Sequence, residues 1–333
     1  MSVQRLDAAS LTDAATAPLA AVEQAATAVD SPHLPPQGTR PLRLRWRHGW
    51  DGHPVDHLFA AGRGSALLAY ATVIFGHWDN PHAAELELIV HPDARGDDEV
   101  ADALLHHAIE ACRAAGRTRG ISDCWRDSWL AGYWARRDWP VASLAAQRRI
   151  VIADLDRPLI ARLLADTEQA SPDYAVEVLP LPTPPDLMDG VLELHRAMND
   201  APLDDLALDD DEWSVARLAA AESALTHRGL RVHRLIARRR GDGVIGGWTQ
   251  LVVDPSQPAL GHQEDTAVVG AHRGHRLGLR LKTAMLQLLT EVEPQLEMID
   301  TWNAESNTHM IRVNEQLGCV VVGHGSIVQR DLG

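Results

Sequence analysis

Thr266-Ala267-Val268-Val269-Gly270-Ala271-His272-Arg273-Gly274-His275-Arg276-Leu277-Gly278-Leu279-Arg280-Leu281-Lys282 is the stretch that decides the reading of this chain. An apolar, β-branched run enters a turn of glycines and arginines, and the turn opens a helix. A helix N-terminus offers unpaired N–H groups and a partial positive charge, which suit an anion. Gly274 and Gly278 let the backbone approach such a group closely. Arg273, Arg276, Arg280 and Lys282 add positive charge, and no acidic residue lies between Asp265 and Glu291. In a chain of formal net charge -15, that local exclusion points to an anionic ligand. The stretch lacks the Gly-Lys-Ser/Thr of a Walker loop and the G-x-G-x-x-G of a dinucleotide site.

Two later runs belong with it: Thr301-Trp302-Asn303-Ala304-Glu305-Ser306-Asn307, and Met310 with Val313-Asn314-Glu315-Gln316-Leu317-Gly318. Together these segments resemble the GNAT acyltransferases, and more narrowly their actinobacterial tandem forms. The family signature is Gln/Arg-x-x-Gly-x-Gly/Ala, with Arg273 at its first position and Gly278 at its last. Arg276 stands where the family has its middle glycine, a departure from the pattern. The resemblance covers residues 230–323. Over the first half it is architectural only, similar to tandem enzymes such as mycothiol synthase.

The resemblance implies that acyl-CoA, acetyl-CoA above all, is the co-substrate and that no metal takes part. It implies a pyrophosphate held by Arg273, Gly274, His275, Arg276, Leu277, Gly278 and Leu279. Pantetheine would run along the backbone of Val268 and Val269, beside Asn303 and Asn307. The tyrosine that protonates the leaving thiolate in many GNAT enzymes aligns with Asn314, which cannot serve as an acid. A base for the attacking amine is expected on the strand before the loop, where Glu264 leads and Asp265 and His262 follow. Alternation along a strand puts His262 and Glu264 on one face and Asp265 on the other. The expected activity is direct transfer of an acyl group to a primary amine of a small molecule. The alternative is a GNAT-like module that binds acyl-CoA without turnover.

Outward from this core, the pattern predicts helices over 186–198 and 209–225, strands over 230–237 and 244–253, and a strand over 265–269. A helix over 275–289, a strand over 297–302, a helix over 307–316 and a strand over 319–322 follow. The first half repeats this order: a helix over 11–29, a Pro-rich break over 31–41, strands over 54–60, 65–76 and 84–90. A helix over 97–115, a strand over 118–122, a helix over 129–136 and a strand over 147–153 complete it. The repeat, at roughly 180 residues, reads as an internal duplication. The expected fold is α/β (α+β), two tandem GNAT domains, each a mixed, mostly antiparallel central sheet flanked by helices. The expected bounds are 1–154 for a degenerate first domain, 155–185 for a connection that includes the first strand of the second, and 186–333 for a catalytic second domain. In the first half the signature positions fall on Arg95, Asp98 and Val100, within Arg95-Gly96-Asp97-Asp98-Glu99-Val100. Three consecutive acids repel a pyrophosphate, so this half reads as a scaffold.

The chain of 333 residues, 45% hydrophobic and 23% charged, has the composition of a globular protein with room for two cores. Its three cysteines are odd in number and widely spaced, which suggests reduced thiols and a cytoplasmic setting. No basic, apolar leader opens the chain and no run approaches a membrane span. The one basic run, Arg238-Arg239-Arg240, leads straight into Gly241-Asp242-Gly243 and reads as a hairpin. The expected partner is therefore a small-molecule amine, not nucleic acid or membrane, with the chain a monomer or homodimer. His48, His53 and His57 lack the support a metal site needs.

Overall fold

The computed structural model describes residues 1–333. In chain order the elements are β1 (Ser2–Leu6), α1 (Asp13–Asp30), α2 (Thr39–His48), β2 (His57–Arg63), β3 (Ala66–Phe75), β4 (Ala83–Val90), α3 (Glu99–Ala114) and β5 (Arg119–Trp125). There follow α4 (Trp129–Arg136), β6 (Val141–Val151), α5 (Arg157–Ala170), β7 (Tyr174–Val178), α6 (Met188–Arg196), α7 (Val215–His227), β8 (Arg231–Arg239) and β9 (Ile245–Val253). The last are β10 (Leu260–Val268), α8 (Leu277–Val292), β11 (Met298–Ala304), α9 (Thr308–Gln316) and β12 (Val320–Asp331). No helix is long and apolar enough to cross a membrane.

The chain divides into two compact units. The first is Met1–Ala145 with Leu203–Asp210 and Gly323–Gly333; the second is Ala146–Pro202 with Asp211–Val322. This differs from the consecutive blocks expected, and long-range pairing is the reason. From Gly325 to Asp331, β12 pairs antiparallel with β5. The segment 203–210 is bound by Asp205 N–H to Ala142 O, by Gln329 Nε2 to Asp205 O, and by two hydrogen bonds between the Asn80 side chain and Asp209.

In the first unit the strand order is β1-β2-β3-β4-β5-β12. β1 to β4 are antiparallel, and β4 and β5 are parallel. Leu19, Leu42 and Trp46 from α1 and α2 pack with Leu58 and Tyr70 on one face, and α3 and α4 supply Leu104, Tyr133 and Trp134 to the other. In the second unit the order is β6-β11-β10-β9-β8-β7. β7 to β10 are antiparallel, and β10 and β11 are parallel. Val191, Leu194 and Leu218 from α6 and α7 bury against Trp248, while Leu277, Leu281 and Met285 of α8 fill the opposite face.

Several local expectations change: the strand expected over 147–153 is Val141–Val151, that over 319–322 runs to Asp331, and that over 54–60 is His57–Arg63. The helix expected from residue 209 starts at Val215, because Ser214 Oγ accepts the Arg217 N–H as its N-cap. The acidic run before it is not helical. The Pro-rich break gives way to α2, whose Pro41 sits in the first turn, where a missing N–H costs nothing. The strand expected from residue 265 begins at Leu260.

Candidate functional site

β10 and β11 run side by side for three pairs, Leu260↔Met298, Gly261↔Ile299 and His262↔Asp300, and then separate. β10 stays joined to β9 as far as Val268↔Gly247, while β11 continues to Ala304. The gap widens into a cleft of about 860 Å³ walled by both strands, the start of α8, α9 and residues 197–202. All of these residues belong to the second unit.

One wall carries an irregularity. Gln263 pairs with Leu251 and Thr266 with Thr249, so Glu264 and Asp265 stand opposite Gln250 alone. This is a β-bulge, with two residues against one. Gln263 braces it, its Nε2 donating to Gln250 O at 2.6 Å and to Thr249 Oγ1 at 3.0 Å. The bulge breaks the alternation expected of the strand. His262, Glu264 and Asp265 all line the cleft, and Asp265 does not point away. Burial, with help from the Asp265 charge, raises the Glu264 carboxyl to about 7. Burial, with help from Asp211, raises Asp265 to about 6. Burial lowers His262, which favours its neutral form. The bulge thus holds two carboxyls near their midpoint at neutral pH, without an ion-pair partner for either.

Beyond the bulge the backbone has free groups. Val269 N–H donates to Gly246 O at 3.0 Å. Antiparallel pairing alternates, so Ala267 and Val269 turn their backbone groups to β9, and Thr266 and Val268 turn theirs to the opening. Val268 O accepts from Arg273 Nε at 3.2 Å, which leaves the Val268 N–H facing the cleft.

The other end of the cleft is the start of α8. Its N-cap is Arg276 at φ 57°, no side chain caps it, and no acidic residue lies in its first turn. The first N–H groups of the helix, from Leu277 to Leu279, therefore have no intrahelical acceptor. A Cβ built on Gly278 would meet only Val268 Cγ2, at 3.9 Å, so the backbone here opens directly on the cleft. Gly274, at φ 85°, takes the left-handed turn before the helix.

Of the residues predicted to hold CoA, Val268, Arg273, Gly274, Arg276, Leu277, Gly278, Leu279, Asn303 and Asn307 line the cleft. Val269 and His275 do not line it. Val269 gives its N–H to Gly246, and His275 lies exposed with its ring 5.5 Å from that of Tyr174. Arg273 is turned back on its own loop and ion-pairs with Asp200. Asn307 caps α9 through Met310 N–H. Asn303 accepts from Asn314 Nδ2 at 2.7 Å, and Asn314 is fully buried behind it. Sequence reasoning missed Asp300 and gave Lys282 no place in the cleft, yet both line it. Lys282 is four residues after Gly278, one turn along the same helix face, and that spacing was the available signal.

No family model matches the chain, and no curated protein sequence matches it. Solved structures do. A tandem GNAT protein from the clavulanic acid biosynthesis pathway superposes with a TM-score of 0.82 at 21% identity, over 100% of this chain and 99% of that one. The chain has the tandem GNAT fold. A GCN5-related N-acetyltransferase from Sphaerobacter thermophilus gives a TM-score of 0.69 at 15% identity, over 99% and 96% of the two chains. A GCN5-related glucosamine N-acetyltransferase region of a fungal multi-domain β-N-acetylglucosaminidase gives 0.69 at 12%, over 98% of this chain and 38% of that one. In GNAT terms, the cleft lies between the fourth and fifth strands of the second repeat, and α8 follows the signature loop.

Proposed function

We propose that the chain is an acyl-CoA-dependent N-acyltransferase. In this reading only the second unit binds acyl-CoA, and it passes the acyl group, acetyl in the simplest case, directly to a primary amine of a small molecule. One observation carries the reading. A single cleft joins an uncapped helix N-terminus, flanked by Arg276 and by Gly278, to two carboxyls poised near neutrality on a strand bulge. The residues fit the co-substrate. The α8 N-terminus and Arg276 suit a pyrophosphate, and the free edge of β10 at Val268 suits an extended amide chain. Acyl-CoA supplies an activated thioester; the protein supplies placement and proton transfer.

Glu264 takes the proton released when the amine attacks, since its midpoint near neutrality is well matched to that task. The Val268 N–H polarises the carbonyl under attack. The walls around Glu264 and Asp265 include Asp200 as well, and this acidic lining favours an acceptor that arrives as a cation. A thiol-release assay with acetyl-CoA and a panel of mono- and diamines tests the reading. Amine-dependent release of CoA is expected. CoA binding without release for any amine would overturn catalysis and leave the non-catalytic binding module.

A further inference from the structure

The buried cations of the second unit are nearly all paired. Arg149 meets Asp300 at 2.6 Å, Arg234 meets Glu222 at 2.6 Å, and Arg280 donates to Ser171 O at 2.8 Å. Lys282 is the exception. It is only 5% exposed and opens on the cleft, with no carboxylate paired to it. It lines the main cleft and also a small cavity beneath it, among Ile299, Thr301 and Cys319. A largely buried ammonium without a carboxylate partner is costly to keep. Lys282 is also the sole lysine of the chain. Arginine stays protonated under all ordinary conditions, whereas lysine can give up a proton and take it back.

Resting on the acyltransferase reading, we propose that Lys282 is the proton donor to the thiolate that leaves when the acyl group is transferred. The position where many GNAT enzymes carry a tyrosine for this step is Asn314, buried outside the cleft and bonded to Asn303. Lys282 reaches the cleft from α8, one turn past Gly278. The charged and titratable groups around it are accounted for. Asp300 on β11 is held by Arg149 and Gln147. Cys319 faces it across the small cavity, and burial lifts that thiol to about 11. His262, Glu264 and Asp265 stand on β10 and His309 on α9. Burial lowers the Lys282 ammonium to about 8, so it is mostly charged at neutral pH and still a competent acid. In the balanced step, the acceptor first gives its ammonium proton to solvent, and the neutral amine nitrogen then bonds to the carbonyl carbon and loses one proton to Glu264. The carbon–sulfur bond breaks, and sulfur takes a proton from Lys282 Nζ. Solvent then returns a proton to Lys282 and removes one from Glu264.

CoA itself is the probe, so the test needs no acceptor. The thiolate absorbs in the ultraviolet, and the ionisation of bound CoA can be followed against pH in wild type and in Lys282→Met. Beside an ammonium, the bound thiol should ionise about one pH unit lower in wild type than in the variant, a tenfold change in its acidity constant. Lys282→Met removes an unpaired buried charge at similar volume, so its melting temperature should not fall and CoA should bind as before. Equal thiol ionisation in the two proteins would overturn the proposal. So would loss of CoA binding in the variant alone, which would make Lys282 an anchor. Failure of wild type to bind CoA would overturn the acyltransferase reading itself, and this proposal with it.

Discussion

The loops at residues 90–100 and 268–278 share one backbone and hold opposite contents. In each, an arginine Nε donates to the carbonyl at the end of the preceding strand: Arg95 to Val90 O at 3.1 Å, Arg273 to Val268 O at 3.2 Å. In each, the helix N-cap lies in the left-handed region, Asp98 at φ 55° and Arg276 at φ 57°. In each, the flanking parallel strands pair over only three positions. Neither N-cap side chain bonds its own helix, and each loop arginine meets an aspartate, Arg95 with Asp30 and Arg273 with Asp200; the first loop is tied down further, by α4 and by Asp97. Arg95 is forked onto Asp30 at 2.9 and 2.6 Å, Asp98 is held by Arg136 and Arg137, and Asp97 Oδ1 caps the Glu99 N–H. The second loop keeps its helix N-terminus uncapped. The strands differ as well. β4 pairs with β3 in unbroken register, with Glu87 opposite Thr72. At the matching point β10 has the extra residue that makes the Glu264–Asp265 bulge. A duplicated frame can thus keep its geometry while one copy becomes scaffold, because a few side chains decide whether the helix terminus is spent internally or presented to a ligand.

The hardest test of this contrast is binding. Gly278→Glu places an anion in the open space beside the α8 N-terminus and should remove saturable CoA binding by calorimetry. Asp98→Ala, at the matching loop of the first unit, should leave affinity unchanged. Two equivalent CoA sites per chain would end the comparison.

The bulge sets the next effect. Glu264→Gln should lower kcat/KM by about 10²–10⁴-fold with CoA affinity held. In wild type the rate should rise with pH through about 7, where Glu264 loses its proton, and the variant should lack that limb. If Asp265→Asn is the damaging change instead, the second bulge residue is the base.

The left-handed caps give a smaller effect. Arg276→Gly should relieve strain of about 1 kcal/mol and raise the melting temperature, while weakening CoA by about tenfold through loss of one charged contact. Asp98→Gly relieves the same strain but strips Arg136 of its partner and leaves Arg137 to Asp102 alone, so its stability should stay near wild type. An Arg276→Gly protein that binds CoA as well as wild type would show that this guanidinium does not touch the ligand.

The signature loop was legible in the sequence because its signals are local: a β-branched strand, glycines and arginines in a turn, and a helical period directly after. The helices and strands of both repeats were legible for the same reason. The bulge was not, since an extra residue in β10 shows only against its partner β9, and strict alternation then misplaces Asp265. The make-up of the two units escaped as well. That β12 completes the sheet of the first unit depends on pairing between Asp331 and Arg119 and their neighbours, far apart in sequence. Lys282 read as one more positive charge on a basic helix, because its lack of a counter-ion is a property of packing.

The smallest effect concerns stability and isolates the bulge from catalysis. Glu264 is raised to about 7 and Asp265 to about 6 in the folded chain, above the ordinary values near 4.3 and 3.9 for unfolded carboxyls. The folded state therefore binds these protons more tightly than the unfolded state. Their contribution to stability is fully present below the ordinary carboxyl range and is lost as pH rises through about 6 to 7. Ionised, the two partly buried groups repel one another across the bulge. Glu264→Gln removes that charge, so the variant should gain on wild type as pH rises from 5 to 8, by about 2–4 °C in melting temperature for a unit of this size. Because Glu87 in the first unit pairs with Arg45 at 3.1 Å, Glu87→Gln removes a partnered charge and should show no such gain. Parallel melting curves for the two variants that rise together with pH would mean that the bulge does not distinguish its carboxyls from the paired one.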